Sequence, residues 1–398
     1  MKKLLLLGGS SYLIPAIKAA QNLGVYVITC DYLPDNIAHK YSDEYHNVSI
    51  IDKEAVLKLA KELKVDGIMS FATDPGVVVA SYVATELGLP TCPYESTEIL
   101  QNKGKFRKFL EENNFNVPKS ATYTNYDDAV KDIEKFELPI IVKPVDSAGS
   151  KGVTRVDNLE FFKTAFEYAL KYSISAEVIV EEFIERLGFS TDTDSFSVDG
   201  ELVFCSFDDQ WFDENADNPY TPSAYTWPST MDISMQDELE SELQRLMKLL
   251  NMKSSIYNIE TRIGKNGKPY IMECTPRAGG NRLAEILKLA TGQDIITASV
   301  KASLGMEIQK LTKPKYNGFW GELILHSNEN GIFQELIIDE SIKDTVIEID
   351  LWISKGDIVK SFTGANETIG TVIINCKTRE ELERIIKNSQ ELIKVALI

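Results

Sequence analysis

Histidine and closely spaced cysteine are scarce in this chain of 398 residues. Its three histidines are His39, His46 and His326, and its five cysteines are Cys30, Cys92, Cys205, Cys274 and Cys376. Because no two cysteines form a CxxC pair, we expect reduced thiols in a cytoplasmic protein and no zinc site built on cysteine. The scarcity of histidine also argues against a histidine-based catalytic triad.

The sequence also has few positively charged residues relative to acidic ones, and few long apolar runs. Acidic residues outnumber basic ones, 60 to 42, which gives a formal charge of -18. Nucleic acid and anionic membranes repel such a chain, although a few local cations could still bind a nucleotide phosphate. The N-terminal run MKKLLLLGGS is too short for a signal peptide, and no later segment is typical of a membrane span. We therefore expect small-molecule substrates, with no nucleic-acid or membrane partner.

Two common phosphate-binding motifs are absent as well. The turn at residues 8–12, GGSSY, lacks the spacing of GxGxxG, and GxxxxGK[ST] does not occur. The turn is more typical of a tight strand-to-helix connection, which could line a substrate cleft.

The first hundred residues alternate between strand and helix. Strands are predicted at residues 4–7, 25–29 and 67–70, and helices at residues 15–23, 53–63 and 76–87. Such alternation predicts a parallel sheet with helices on both faces. The length of the whole chain suggests two or three domains.

The remaining residues have a mixed pattern. It predicts a basic helix at residues 102–110, strands at 138–143 and 176–184, helices at 159–170, 236–250 and 283–289, and a hairpin at 257–277. Residues 185–230 are rich in Asp, Ser, Thr, Pro and aromatic side chains. We expect the second half of this stretch, which contains Trp211, Tyr220, Tyr225 and Trp227, to form a long loop over a site. After residue 314 the chain becomes strand-rich, with turns at 328–331, 355–356 and 364–366 and a last helix at 379–393, which suggests a small separate domain.

The hairpin carries the most informative pair of residues. Counted outward from a turn near Asn266, Glu260 falls opposite Glu273, and Thr275 shares the face of Glu273. Two opposed carboxylates repel unless a cation lies between them, and Mg²⁺ prefers such oxygen ligands together with phosphate oxygens. Arg277 would then add positive charge near the same phosphate. The alternative is an ordinary surface hairpin with two solvated glutamates.

Two further segments could contact a nucleotide. Lys143 ends a buried strand, and the small residues that follow, at 147–152, could cradle phosphates with their backbone N–H groups. Residues 181–184, Glu-Glu-Phe-Ile, end another apolar strand and could present backbone groups to a purine ring. Each segment alone could equally be an ordinary turn or connector.

In this order and combination, the features resemble the ATP-grasp superfamily over nearly the whole chain, and in particular its carboxylate–amine ligases. The C-terminal unit is similar, more loosely, to the closing domain of L-amino acid ligases, and the nucleotide-binding region to that of biotin carboxylase. The resemblance implies ATP contacts at Lys103, Lys143, Ser147, Gly149, Ser150, Gly152, Glu181, Glu182, Phe183 and Ile184. It implies Mg²⁺ or Mn²⁺ ligands at Glu260, Glu273 and Thr275, and a phosphate-side arginine at Arg277.

One departure from the family concerns Thr275. The family usually has Asn at this position, and a hydroxyl is a weaker metal ligand than an amide oxygen, which puts a second metal ion in doubt. The resemblance otherwise implies a multidomain α/β and α+β fold. Its parts are a Rossmann-like pre-ATP-grasp domain at 1–98, a two-lobed ATP-grasp domain at 99–310 with its lid at about 117–184, and a strand-rich closing domain at 311–398.

The implied reaction joins a carboxylate to an amine through an acyl phosphate, releasing ADP and phosphate, and the protein could form a homodimer. A phosphotransferase on the same fold and a non-catalytic nucleotide-binding protein remain alternatives. Arg282 lies at a predicted helix start, where it could bind the substrate carboxylate as a second catalytic residue. Alternatively, it pairs with Glu285 three residues later.

Overall fold

The computed structural model describes residues 1–147 and 149–398. Its N-terminal part comprises β1 (Lys3–Leu7), α1 (Ile14–Asn22), β2 (Tyr26–Asp31), β3 (Glu44–Asn47), α2 (Lys53–Leu63), β4 (Gly67–Ser70) and α3 (Val77–Leu87). The strands pair in parallel in the order β3-β2-β1-β4. Leu4 and Leu6 of β1 pack with α1, whereas Leu5 and Leu7 pack with α2 and α3. The predicted parallel sheet with helices on both faces is therefore confirmed.

A small antiparallel sheet follows two connecting helices. The elements are α4 (Tyr94–Gln101), α5 (Lys103–Glu112), β5 (Ser120–Tyr123), α6 (Tyr126–Asp132), β6 (Ile140–Pro144), β7 (Thr154–Val156), α7 (Phe162–Tyr172) and β8 (Val178–Glu182). The strand order is β5-β8-β6-β7. The predicted glycine-bearing loop at residues 147–152 connects β6 to β7, and Ala148 within it lies outside the described residues.

The long loop predicted in the second half of residues 185–230 is wrong, and the first half, for which no element was predicted, also forms strands. This segment forms four strands, β9 (Thr191–Val198), β10 (Glu201–Phe204), β11 (Asp209–Phe212) and β12 (Pro222–Trp227). Strand β9 is difficult to predict because its first residues, Thr-Asp-Thr-Asp, are polar on both faces. The alternation of apolar and polar residues that indicates a strand is therefore missing there. These strands pair with two neighbouring sheets, and tertiary pairing outweighs their weak apolar pattern.

The rest of the chain adds thirteen strands and helices, of which β16, β18 and β20 form a separate three-stranded sheet. They are α8 (Ile233–Leu249), β13 (Ser255–Ile263), β14 (Pro269–Thr275), α9 (Leu283–Thr291), α10 (Ile295–Ser303), β15 (Phe319–Leu325), β16 (Gly331–Ile338), β17 (Val346–Leu351), β18 (Ile358–Val359), β19 (Gly370–Cys376), α11 (Arg379–Lys387), α12 (Ser389–Leu392) and β20 (Ile393–Leu397). The helix predicted at 379–393 is present as two helices, α11 and α12, which are interrupted at Asn388. The chain then enters β20 at Ile393, and β20 pairs with β16.

Two larger sheets face each other at the centre of the molecule. One has the order β10-β9-β13-β14, and the other β11-β12-β15-β19-β17. Phe196 and Ile256 on the first pack in one apolar cluster with Trp227, Trp320 and Ile324 on the second. Because side chains two apart share a face, the even-numbered residues of β9 and β13 point toward this interface.

The second of these sheets crosses the predicted domain boundary. Its strands β11 and β12 precede residue 311, whereas the other three follow it. The strand-rich tail therefore shares a sheet with earlier residues, and the division into domains at 1–98, 99–310 and 311–398 stays a proposal. Every helix in the described part of the chain is too short or too polar to cross a bilayer.

Candidate functional site

Glu260 and Glu273 lie opposite each other on β13 and β14, as the sequence predicts. The next pair in register on the same face is Asn258 with Thr275. The glutamate side chains are 28% and 32% exposed, so they line an accessible cleft. The Nη2 atom of Arg262 donates to the Oε1 atom of Glu260 over 2.6 Å, which partly neutralises the pair.

Lys103 supplies a second positive charge to this pair. Its Nζ atom lies 3.5 Å from the Oε1 atom of Glu273 and donates to the backbone carbonyl of Ser147 over 2.8 Å. Enclosure by protein raises the pKa of the Glu273 carboxyl, but Lys103 and Arg277 outweigh this effect and lower it. Lys103 therefore connects the carboxylate pair to the glycine-bearing loop.

Lys143 belongs to a buried ion cluster that the sequence did not reveal in full. Its ammonium group pairs with the Oε1 atom of Glu181, while the Nε atom of Arg107 donates to the Oε2 atom over 3.0 Å. Burial alone would raise the pKa of Glu181, but Arg107 and Lys143 lower it to about 2. The signal for Arg107 was its position four residues after Lys103, on the same face of α5.

The loop at residues 147–152 uses a backbone that favours glycine. Three of its residues have a positive φ of 58° to 73°, namely Gly149, Ser150 and Gly152. A Cβ atom on Gly152 would lie 2.8 Å from the Cγ atom of Pro144, so that position has no room for a side chain. The Oγ atom of Ser150 donates to the carbonyl of Tyr220 over 3.4 Å. The loop thus brings backbone close to both β6 and the β11–β12 connection.

The predicted connector at residues 181–184 is fixed by contacts on three sides. The Oε1 atom of Glu182 accepts a backbone N–H bond over 3.0 Å from residue 137, just before β6. The guanidinium of Arg155 lies 4.6 Å from the centre of the Phe183 ring. The carbonyl of Ile184 accepts from the Nη1 atom of Arg262 over 3.4 Å, and Arg262 also binds Glu260. One arginine therefore links this connector to the carboxylate pair.

Arg277 lies next to the pair but is already bound. Its Nε and Nη2 atoms donate to the two carboxylate oxygens of Asp74, each over 3.0 Å. Its backbone N–H donates to the carbonyl of Thr275 over 2.8 Å, and the residue is 8% exposed. The site thus holds a rigid buried guanidinium whose present partner comes from the N-terminal part.

Arg282 immediately precedes α9, as the predicted helix start requires. Its backbone is left-handed, with a φ of 67°. Its Nη2 atom donates to Glu285 over 3.1 Å and also to Glu348 of β17. The alternative pairing with Glu285 is therefore present, and Arg282 in addition ties α9 to β17. Whether it also binds a substrate carboxylate stays a prediction.

Two buried aspartates on β9 escaped the sequence analysis. The amide nitrogen of Asn258 lies 3.0 Å from Asp192 and 3.4 Å from Asp194, and Asp194 also accepts from the backbone N–H of Gly279 over 2.7 Å. Burial raises the pKa of Asp192 to about 7, and Glu260 adds to the rise; burial also raises that of Asp194 to about 7. Their signal was the Thr-Asp-Thr-Asp run at residues 191–194, for which no element was predicted.

The oxygen groups on the hairpin fit a magnesium ion. Glu260 and Glu273 offer two carboxylates, and the hydroxyl of Thr275 lies on the same face. The amide nitrogen of Asn258, opposite Thr275, donates to Asp192 and Asp194. The amide oxygen of Asn258 therefore remains available to a cation. No group of three or more His, Cys, Asp or Glu among the described residues could hold a metal alone. This set therefore suits an ion that takes its remaining ligands from phosphate and water.

Comparison with known proteins bears on the same region. The sequence model of the ATP-grasp domain family matches residues 136–285, which include the loop, the connector and the hairpin. The chain is also 24% identical over 399 residues to the carbamoyl phosphate synthase large chain of Thermoanaerobacter sp. strain X514. That match covers 95% of this chain but only 36% of the relative, so the chain spans about a third of its length.

Two solved structures share the fold. The L-amino acid ligase from Bacillus licheniformis superimposes with a TM-score of 0.84 and 20% identity, covering 100% of this chain and 99% of that one. The biotin carboxylase domain of the 2-oxoglutarate carboxylase from Hydrogenobacter thermophilus, a dimer with MgADP and bicarbonate, gives a TM-score of 0.76 and 14% identity, covering 100% and 91%. These likenesses show that the predicted fold class is right.

Proposed function

We propose that the chain is an ATP-dependent ligase that joins a carboxylate to an amine, because the sequence model of the ATP-grasp domain family matches its residues 136–285. The proposal has ATP and Mg²⁺ as cofactors, small molecules as substrates, and ADP and phosphate as products alongside the amide. The observation that carries it is the opposition of Glu260 and Glu273, with Lys103 lying 3.5 Å from Glu273.

That arrangement is matched to a triphosphate. Two carboxylates alone would repel the phosphates of ATP. A metal ion bound between them, together with the cations beside the pair, would overcome this repulsion. When bound, Mg²⁺ would neutralise charge on the phosphates, held by Glu260 and Glu273 with Thr275 or Asn258 as a further oxygen ligand. The departure at Thr275 weighs less here, because the amide of Asn258 lies directly across from it.

We assign the rest of the nucleotide to the surrounding segments. Lys103 and Lys143 bind phosphate oxygens, and the backbone at residues 147–152 covers them. The connector at residues 181–184 lies against the adenine, with backbone groups near Ile184. The side chain of Glu181 is a positioning group, because it is 3% exposed and holds both Arg107 and Lys143.

The reaction then needs two displacements and no protein nucleophile. The substrate carboxylate attacks the γ-phosphorus of ATP, forming an acyl phosphate and expelling ADP. The amine attacks the acyl carbon, loses a proton and expels phosphate, which leaves the amide. Arg277 is placed to stabilise charge on the transferred phosphoryl group, and catalysis rests on positioning and charge neutralisation. The small number of histidines is consistent with such a mechanism.

Product analysis tests the proposal. The full chain is incubated with ATP, Mg²⁺ and a panel of amino acids and small carboxylic acids, each with and without an added amine. We expect ADP, phosphate and an amide whose formation requires the amine. A phosphorylated product that accumulates equally without amine would indicate a phosphotransferase, and AMP with pyrophosphate would indicate another ligase class. Absence of nucleotide turnover with the whole panel would indicate a non-catalytic nucleotide-binding protein.

A further inference from the structure

Glu322 is a buried carboxylate in the middle of β15 that has no partner among the described residues. It is 0% exposed, and neither of its carboxylate oxygens accepts a hydrogen bond. It shares a face with Trp320 and Ile324, which pack toward β9 and β13. Its neighbour in register on β12 is Tyr225. Glu322 therefore points into the interface between the two large sheets, where an unpaired charge is costly.

The surroundings of Glu322 do not supply the missing cation. The nearby groups are Arg282 and Glu285 at the start of α9, Asp194 on β9, and the hydroxyls of Tyr12 and Tyr225. Arg282 alone among these is cationic, and its guanidinium is held by Glu285 and Glu348. One oxygen of Asp194 is likewise buried without a partner. The junction thus has more buried carboxyl groups than its arginine can pair with.

We propose that Glu322 binds a second, non-reacting ammonium group on the amine substrate. The inference rests on the proposed ligase function and narrows its amine to diamines or similarly basic compounds. An ammonium group has three donors and one positive charge, which suits the free oxygens of Glu322 and Asp194. The carboxylate substrate is not expected at this junction, because the guanidinium of Arg282 is already bound by Glu285 and Glu348.

The bound ammonium must differ from the attacking nitrogen. A carboxylate that pairs with an ammonium group stabilises its proton, and a protonated nitrogen has no lone pair with which to attack. Asp194 lies in register with Asn258, which is opposite Thr275 on the hairpin. Adjacent strands lie about 4.8 Å apart, so this junction is on the order of 10 Å from β14. One end of a diamine can therefore be held here while the other approaches the hairpin.

The edge of the junction offers a route for entry. The hydroxyl of Tyr12 donates to Asn281 over 3.2 Å, and its ring meets that of Trp352 edge-on at 5.4 Å. Tyr12 and Trp352 are only partly buried. These two side chains, from the N-terminal and C-terminal parts, are therefore the ones that we expect to separate when the amine binds.

Matched amines test the site directly. With the best carboxylate of the product screen, 1,4-diaminobutane is compared with butylamine, and 1,3-diaminopropane with propylamine. We expect the diamine to be favoured by roughly 10- to 100-fold in kcat/KM, the range of a charge-assisted hydrogen bond. Glu322→Gln should remove that preference, whereas Glu335→Gln, the same change at an exposed position on β16, should keep it.

Proton release provides a reading that a purely structural role would not give. Burial raises the pKa of Glu322, and a bound ammonium group would lower it again, so the site should lose protons when the amine binds. Calorimetry of 1,4-diaminobutane binding at several pH values, in two buffers of different ionisation enthalpy, should show proton release in the wild-type chain. Glu322→Gln should abolish it. If that variant fails to fold, Glu322→Asp should still release a proton but bind more weakly.

The outcomes separate the two proposals. Amide formation that uses diamine and monoamine equally well would overturn the ammonium site and leave the ligase intact. Proton release on adding potassium chloride alone would also overturn it, because the site would then take an inorganic cation. Absence of turnover with the whole panel would count against the ligase itself.

Discussion

The guanidinium of Arg277 holds the carboxylate of Asp74 through two parallel hydrogen bonds, each 3.0 Å long. This contact joins the end of the β13–β14 hairpin to a short turn that follows β4. It fixes the orientation of an arginine that the proposed mechanism places beside the transferred phosphoryl group. The contact therefore separates two roles, orientation by Asp74 and charge stabilisation by Arg277.

The first prediction uses this separation. Arg277→Lys keeps a positive charge but loses the planar fork, and we expect kcat to fall by roughly 10- to 100-fold, which corresponds to one charge-assisted hydrogen bond. Asp74→Asn should reduce stability and retain most of kcat, because the arginine remains. Steady-state kinetics with a melting curve for each variant checks this. Equal losses of kcat in both variants would contradict the division of roles.

The second prediction concerns the carboxylate pair. Glu260→Gln and Glu273→Gln should each abolish turnover at ordinary Mg²⁺ while leaving the fold intact, because each removes a metal ligand. The matched control is Glu201→Gln, at an exposed position on β10 of the same sheet, which should behave like the wild type. Near-normal activity in either hairpin variant would contradict the assignment of that glutamate as a metal ligand.

The opposition of those glutamates could be predicted from the sequence because a hairpin register follows from its turn. The parallel sheet was predictable for a similar reason, since Leu4 to Leu7 and the helices around them have strong periodic patterns. The strands at 191–227 were not predictable, because Asp192 and Asp194 occupy inward positions where a core strand normally has apolar residues. Both aspartates contact the amide of Asn258 beside the carboxylate pair, so polar residues of the candidate site interrupt the apolar pattern by which a strand is recognised.

The third prediction concerns the buried ion cluster of Arg107, Lys143 and Glu181. Glu181→Gln leaves two buried cations without their counter-ion and should cost about 3–5 kcal/mol of unfolding free energy. The pKa of Glu181 is lowered from 4.5 to about 2, so its stabilisation is present above pH 4.5 and is lost as the pH falls toward 2. Urea unfolding across this range should show that loss in the wild type but not in Glu181→Gln.

A control for this experiment is Glu134→Gln, at an exposed position in the same small sheet region. It should leave both the unfolding free energy and its pH dependence unchanged. If Glu181→Gln were as stable as this control, the cluster would contribute nothing net to the fold.

The fourth prediction concerns the loop at residues 147–152. Lys151 is a potential trypsin site in it, and we expect ATP with Mg²⁺ to slow cleavage there by covering the loop with bound phosphates. Mass spectrometry of timed digests measures the cut after Lys151, and Lys151→Gln should abolish that fragment. The exposed Lys108 on α5 serves as an internal reference that the nucleotide should not protect. Equal cleavage after Lys151 with and without ATP would show that the loop does not cover the nucleotide.

The last prediction decides between the two roles of Arg282. A bidentate grip on the carboxylate substrate would make Arg282→Lys raise its KM by roughly 10- to 100-fold and leave the KM for ATP nearly unchanged. A structural role alone would instead act through Glu348, whose bond to Arg282 ties β17 to α9. Glu348→Gln breaks that tie and keeps the guanidinium. We expect the carboxylate KM to rise in Arg282→Lys and not in Glu348→Gln; a rise of similar size in both would assign Arg282 to holding β17 in place.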